Sequence, residues 1–348
     1  MRLLFVTQRL DPSDPVLGAT SAKIAALATR VDDVVVLADS AVAESLPPNC
    51  TAHSFAAGSR VGRGLRFEKA LGRELARRPR PTAVIAHMCP IYAVLAAPLA
   101  RPAGARVLLW YAHWNRTRML EAAVRASNVV ISVDRRSVPV QSEKVVGIGH
   151  GIDVADFACT PPPDGPVLLT ALGRYSAAKG LDTMIRAVGR ARAQGVDARL
   201  RAHGTASGSS EREHLVRLRA LVAELGLAAS IELDGPVPRT EVPRVLAEST
   251  ALVNNMRSGA PDKVVYEAAA ACRPVLVSNP SFGELLDDIR PPLRFDVDDE
   301  ESLAARIAAL AVLGADERSR IGQALRGRVL ARHSVGSWAD AVVRLCSD

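Results

Sequence analysis

The sequence predicts an α/β protein of two doubly wound domains, each a parallel sheet covered by helices. Three observations carry that expectation. Runs rich in Val, Ile and Leu alternate with segments of helical spacing, as buried parallel strands and their crossover helices do. The alternation stops at a proline-rich stretch and then resumes. The length, 348 residues, fits two domains of about 150 residues each.

Residues 1–150 read as the first domain. Its strands are "RLLFVTQ", "DVVVLAD", "TAVIAH", "ARVLLWYAH" and "NVVISVD", and "ATSAKIAALATRV" and "LEAAVRASN" have helical spacing. The most apolar region, "TAVIAHMCPIYAVLAAPLA", is broken by His87, Pro90 and Pro98. It is expected to be a buried strand, a loop and a helix, since a membrane span needs about 20 unbroken apolar residues. The start, "MRLLFVTQRLD", meets Gln8, Arg9 and Asp11 too soon for a secretory signal. Residues 151–166, "GIDVADFACTPPPDGP", have no sustained period and read as a linker. Residues 167–330 form the second domain, with strands "VLLTALG", "ARLRAHG", "SIELDGP", "ALVNNM" and "RPVLVSN" and helices such as "REHLVRLRALVAELG". Residues 331–348 are expected to be a terminal helix carrying Trp338, one that could cross back to the first domain. Two Rossmann-like units in tandem would face a central cleft with their strand carboxyl ends.

Composition bounds the function. Hydrophobic residues make up 48% and charged residues 23%, which excludes a disordered chain. The five cysteines are far apart and form no CxxC pair, so neither a disulfide framework nor a zinc site is expected, and a reducing cytoplasm is the natural compartment. The net charge of +7 belongs to the first half: residues 1–165 hold 20 Lys and Arg against 14 Asp and Glu, the remainder 24 against 23. Residues 60–80 alone carry eight cations and two glutamates. There Phe67, Leu71 and Leu75 share one helix face, and Arg66, Lys69, Arg73 and Arg77 line another. That is the pattern of a solvated face on a packed helix. Its sharper reading is peripheral contact with an anionic membrane, at about 1 kcal/mol per cation. Nucleic acid is not expected as a partner, because aromatic platforms and a recognised motif are both absent.

Two motifs carry chemistry. In "LGRYSAAKG", Gly173 and Arg174 follow an apolar strand, and Lys179 stands five positions after the arginine, just before a helix. A guanidinium fork and an ammonium beside a helix N-terminus suit a diphosphate, and Gly173 would let the backbone approach it. No GK[ST] follows, so this is not a Walker A loop. Ordinary surface cations around a turn would look the same, and position alone leaves both readings open. In "SGAPDKVVYEAAAACRPVLVSN", Asp262, Lys263 and Glu267 stand at the start of an alanine-rich helix, with Lys263 and Glu267 at i,i+4. Such a glutamate can accept two hydrogen bonds from a ribose diol, or form an intrahelical salt bridge. "GIGHG" lacks the spacing and following helix of a dinucleotide site. "DVDDEES", with Asp296 and Asp298, imitates a metal-binding DxD, but it directly precedes a helix and fits capping better. No metal site is expected.

Together with "GHGIDVADF", "FVTQRLDPSDPVLGA", "AHMCPIY", "WYAHWNRTRMLEAAVRASNVVIS" and "LDGPVPRTEVPRVLAEST", these segments resemble retaining glycosyltransferases of family 4, which have the GT-B fold. The resemblance runs along most of the chain. It implies a nucleotide-diphosphate-sugar donor bound by the second domain, no cofactor, and an acceptor glycan or lipid-linked glycan on the first. Arg174 and Lys179 would hold the diphosphate, Glu267 the ribose, and backbone near Gly235 and Val237 would border the base. Gly18 would lie on a loop touching donor and acceptor, and His113 would reach the donor sugar from the first domain. His87 and His150 are expected to be structural. The family pairs two glutamates separated by seven residues, and here the earlier position is Gly259. Asp262, or the backbone of 259–262, could take that glutamate's place near the sugar. The departure keeps two other readings open, a GT-B sugar-nucleotide epimerase and a nucleotide-sugar-binding protein without turnover.

Overall fold

The computed structural model describes residues 1–11, 18–41, 46–257 and 260–347. The chain divides into two compact units, 1–153 with 332–348, and 154–331.

The first unit contains β1 (Arg2–Leu10), α1 (Thr20–Ala28), β2 (Asp33–Ala41), β3 (Cys50–Ser54), α2 (Arg60–Ala76), β4 (Ala83–His87), α3 (Pro90–Ala100), β5 (Arg106–Trp110), α4 (Arg118–Ala126), β6 (Val129–Ser132) and β7 (Val145–Gly147). Among the described residues these strands form one seven-stranded sheet in the order β3-β2-β1-β4-β5-β6-β7, parallel throughout. Strand order reverses between β1 and β4. β1 and β4 read as continuous apolar runs because both faces are covered, and Leu3, Leu4, Phe5 and Val6 are all fully buried. Helix α2 buries Phe67, Leu71 and Leu75 and leaves its cations outside, as the spacing predicts. Val61 and Leu65 lie outside as well, 74% and 63% exposed.

The chain leaves this unit at Ile152 and returns beside the same residue: Ile152 N donates to His333 O at 2.7 Å, and Val335 N to Ile152 O at 2.7 Å. The "GIGHG" glycines make the crossing possible. Gly149 has φ +83, and a Cβ there would collide with the Arg332 carbonyl.

The second unit contains β8 (Val167–Leu172), α5 (Leu181–Ala193), β9 (Ala198–His203), α6 (Ser209–Glu224), β10 (Ile231–Asp234), α7 (Val242–Ala247), β11 (Ala251–Asn254), α8 (Lys263–Ala270), β12 (Val275–Val277), α9 (Gly283–Leu286), α10 (Glu300–Ala311) and α11 (Ala315–Arg328). Its five strands run in the order β10-β9-β8-β11-β12, again parallel. After α11 the terminal helix α12 (Val335–Ser347) packs against α1 in the first unit. Trp338 is fully buried there, edge-on to Trp110 at 5.6 Å between ring centroids, with Lys23 Nζ 4.3 Å and 5.2 Å from the two rings.

The cysteine expectation is corrected. Cys159, in the 151–166 segment, is disulfide-bonded to Cys272, with Cα atoms 5.0 Å apart across 113 residues. Next to it Arg273 is completely buried, and its guanidinium donates to Thr160 O at 2.7 Å, Thr160 Oγ1 at 2.6 Å and two carbonyls of α7. Burial lowers its pKa to about 10. The segment is thus tied to the second unit by a covalent bond and by hydrogen bonds. Neither bond is visible to a reading of cysteine spacing.

Candidate functional site

β8 ends at Leu172, and the loop that turns into α5 is shaped by its glycines. Lys179 folds back over Gly173: a Cβ there would stand 3.2 Å from the lysine Nζ. The single 3-10 turn Ala177–Lys179 closes on Gly180, at φ +55, where a Cβ would collide with Asn255 Nδ2. Arg257 braces the turn, donating through Nη1 to Ala177 O at 2.6 Å and through Nε to both Asp298 oxygens at 2.7 and 2.8 Å. Helix α5 begins immediately afterwards, so its unpaired N–H groups and positive dipole end lie beside Lys179.

Every cation here already has a carboxylate. Arg174 Nη1 donates to Glu211 Oε1 on α6 at 2.9 Å, with a guanidinium that is 70% exposed. Lys179 pairs with Asp262 Oδ2, which also accepts from Asn254 Nδ2 at 3.0 Å. Arg239 Nη1 at 2.6 Å and Lys263 Nζ at 3.1 Å share Glu267 Oε1, whose side chain is only 4% exposed. A carboxylate that buried needs partners, because removing them would strand a charge away from water. The site therefore offers an arriving polyanion four cations held by three carboxylates, which it can exchange for the ligand's oxygens.

Two further side chains point into the same recess. His203 ends β9, Asn254 ends β11, and both line it with Gly173, Arg174 and Lys179. His203 Nε2 and Asn254 Oδ1 are buried with no hydrogen-bond partner among the described residues. Such atoms call for a ligand or an ordered water. Burial lowers the pKa of His203 against the raising effect of Asp234, whose Oδ2 lies 3.8 Å from Nδ1. The ring is neutral near pH 7.

The structure brings Gly173, Lys179, Asp262, Lys263 and Glu267 into one contiguous set, and Arg174 leaves the same loop toward α6. Gly235 and Val237 lie in the loop after β10, the first exposed and the second half-buried, and Arg239 ties that loop to Glu267. Gly259 lies outside the described residues. Gly18 and His113 belong to the first unit, Gly18 in the turn before α1. His113 is exposed after β5, and its Nδ1 accepts from Asn115 N at 3.0 Å. His87 is buried between Phe5 and Trp110, and burial holds its pKa well below the usual range. Of "DVDDEES", Asp298 serves Arg257, and Asp299 caps α10 by accepting from Glu301 N and Ser302 N. Among the described residues no group of three His, Cys, Asp or Glu could hold a metal ion. Sequence reasoning missed Arg239, His203 and Asn254. The available signal was a polar residue closing an apolar strand, as in "RAH" and "LVNN".

Known proteins resemble the chain in sequence and in fold. Residues 166–312, all within the second unit, match the family model described as glycosyl transferases group 1. Over 196 residues the chain is 28% identical to WcaL of Escherichia coli (strain K12), whose name assigns it to colanic acid biosynthesis as a glycosyltransferase. The match covers 54% of this chain and 47% of WcaL, so the chain spans about half the length of that relative. Among solved structures, a glycosyltransferase from Rickettsia africae ESF-5 superposes with a TM-score of 0.78 at 14% identity, over 99% of this chain and 97% of its own. HepE of Anabaena in complex with UDP gives 0.76 at 15% identity over the whole of both chains, and its UDP-glucose complex gives 0.75 at 14%, over 100% and 99%. The chain thus has the GT-B architecture, and its residues 166–312 group with the glycosyl transferases group 1.

Proposed function

We propose that the protein is a retaining glycosyltransferase of family 4 that moves a sugar from a nucleoside-diphosphate donor to an acceptor hydroxyl. The observation that carries this reading is the Gly173–Lys179–Asp262 arrangement at the end of β8, inside the segment that matches the group 1 family. Lys179 and Arg174 exchange their carboxylates for the donor diphosphate, and stabilise the charge that builds on it as the anomeric C–O bond breaks. The acceptor oxygen bonds to the same face of the anomeric carbon, and its proton passes to the departing phosphate oxygen. The configuration is retained, and no protein base, metal or cofactor is needed. Glu267 accepts the ribose hydroxyls through the oxygen that Arg239 and Lys263 leave open. The loop after β10, with Gly235 and Val237, borders the base. Asp262, or the backbone that leads into it, takes the place of the family's earlier glutamate.

The complexes of HepE make UDP-glucose the first donor to try. WcaL's name supports an envelope glycan, free or lipid-linked, as acceptor. Helix α2, with Lys69, Arg73 and Arg77 beside exposed Val61 and Leu65, supports peripheral contact with anionic lipid, and so a place at the cytoplasmic face of a membrane. No helix among the described residues is long and apolar enough to cross one. The epimerase and the binding protein are not favoured, since WcaL and the Rickettsia africae protein are both named as glycosyltransferases. Calorimetric titration with UDP, GDP and ADP tests the donor site. One should bind, and Arg174→Ala/Lys179→Ala should abolish the heat. Binding of none sinks the assignment. Turnover with a mixed acceptor pool then separates transfer from epimerisation.

A further inference from the structure

A second polar cluster lies in the first unit, where the apolar faces of three strands run out. The face of the sheet under α2 and α3 is built from Leu4 and Val6 of β1, Val35 and Leu37 of β2, and Val84 and Ala86 of β4. Strand residues alternate faces, so the next positions on that face are Gln8 of β1 and Asp39 of β2. Packing would be served by two more apolar residues, but the chain places an amide and a carboxylate there, and just past β4 the backbone leaves the strand conformation. Met88 sits at φ +59, a backbone conformation that a long side chain rarely adopts.

The first turns of α2 and α3 meet these strand ends. Arg63 Nη1 lies 3.2 Å from Asp39 Oδ2, and Gln8 Nε2 lies 3.5 Å from Cys89 Sγ. Tyr92, in the first turn of α3, is within hydrogen-bond reach of Arg63. The pair is not there to neutralise a buried charge, since Arg63 and Asp39 side chains are 37% and 26% exposed. Arg63 Nε, by contrast, is buried with no hydrogen-bond partner among the described residues. The cluster stands where the strand order reverses between β1 and β4, the position at which open α/β sheets take their ligands.

We propose that Gln8, Asp39 and Arg63 form a binding site for a neutral polyhydroxylated ligand, a glycosyl residue of the acceptor. The charge of Arg63 is balanced by Asp39, so an anion would gain little from one and be repelled by the other. Vicinal hydroxyls fit both, donating to the carboxylate and accepting from the guanidinium and the amide. Only the word acceptor rests on the glycosyltransferase reading; the site itself does not.

Saturation-transfer NMR on the full chain, with methyl glycosides of glucose, galactose, mannose, N-acetylglucosamine and glucuronic acid, tests this. At least one neutral glycoside should receive saturation from wild type, and its affinity should fall at least tenfold in Asp39→Asn and in Arg63→Gln. Gln8→Ala, at an exposed position where folding is not at stake, should weaken it several-fold. UDP titration of the same samples should stay within twofold of wild type, because that ligand belongs to the second unit. No bound neutral glycoside, unchanged binding in the variants, or tighter binding of the glucuronide would each overturn the proposal. A glycoside that binds through Asp39 in a protein that ignores every nucleoside diphosphate would uphold this site and sink the donor assignment.

Discussion

Replacing Asp262 by asparagine separates the two roles that this carboxylate holds in the proposed mechanism. In the structure it pairs with Lys179, and the two side chains are 22% and 20% exposed. A charge-assisted bond from Lys179 to a phosphate oxygen is worth roughly 1.5–3 kcal/mol. The Asp262 charge, at about 6 Å from that phosphate and an effective dielectric of 20, opposes it by about 3 kcal/mol, which partial exposure cuts to roughly half. At about 1.4 kcal/mol per tenfold, Asp262→Asn should bind UDP about tenfold more tightly. Lys179→Ala should bind it about a hundredfold more weakly, because the lost cation also leaves the carboxylate facing the ligand. The double variant should fall between the two. Donor turnover should nevertheless drop in Asp262→Asn, since the sugar hydroxyls then meet an uncharged amide with one accepting oxygen in place of a carboxylate with two. Calorimetry at low and high salt reads the affinities, and the gain should shrink as salt screens the repulsion. Weaker UDP binding in Asp262→Asn would refute the reasoning: Asp262 would then be holding Lys179 in place for the ligand, not competing with it.

Three other expectations follow from the packing and the surface. Trp338→Ala removes a fully buried ring that contacts Trp110 and Lys23, and should cost about 3–5 kcal/mol, read as a lower urea midpoint and early proteolysis of α12. His333 is buried with its pKa lowered to about 4, so below pH 6.5 the unfolded chain gains a proton that the folded one refuses. Stability should therefore fall from pH 6.5 to pH 4, by up to about 3 kcal/mol from this group, and His333→Gln should flatten that part of the urea profile. Leu65→Asp, on the exposed face of α2, should release the protein from vesicles containing phosphatidylglycerol, as high salt should, while UDP binding stays unchanged. Wild type that fails to sediment with such vesicles would remove the membrane from the account.

The legible part of the fold was the part with a strong local pattern. β1, β2, β4 and β5 are apolar on both faces because helices cover both, and they stood out in the sequence. β3, "CTAHS", and β7, "VVG", are edge strands, the first mostly exposed and the second three residues long, and neither has a pattern to read. The cationic loop after β8 was legible for a similar reason: Gly173, Arg174 and Lys179 lie within seven consecutive residues before a helix, a spacing that admits an anion site though it does not by itself separate one from surface cations.

What completes that site is not local. Glu211, Arg239 and Asp262 reach their partners across 37, 28 and 83 residues, and the Cys159–Cys272 bond spans 113. The Gln8–Asp39–Arg63 cluster likewise needs two strand ends and a helix start brought together. By itself the sequence determined two parallel sheets, the break between them and the cationic loop, since period and glycine placement act over a few residues. Only the tertiary structure decided which carboxylate faces which cation, where α12 docks and which polar atoms stay unpartnered. Those depend on the register of strands and helices far apart in the chain, and spacing along the chain does not encode that register.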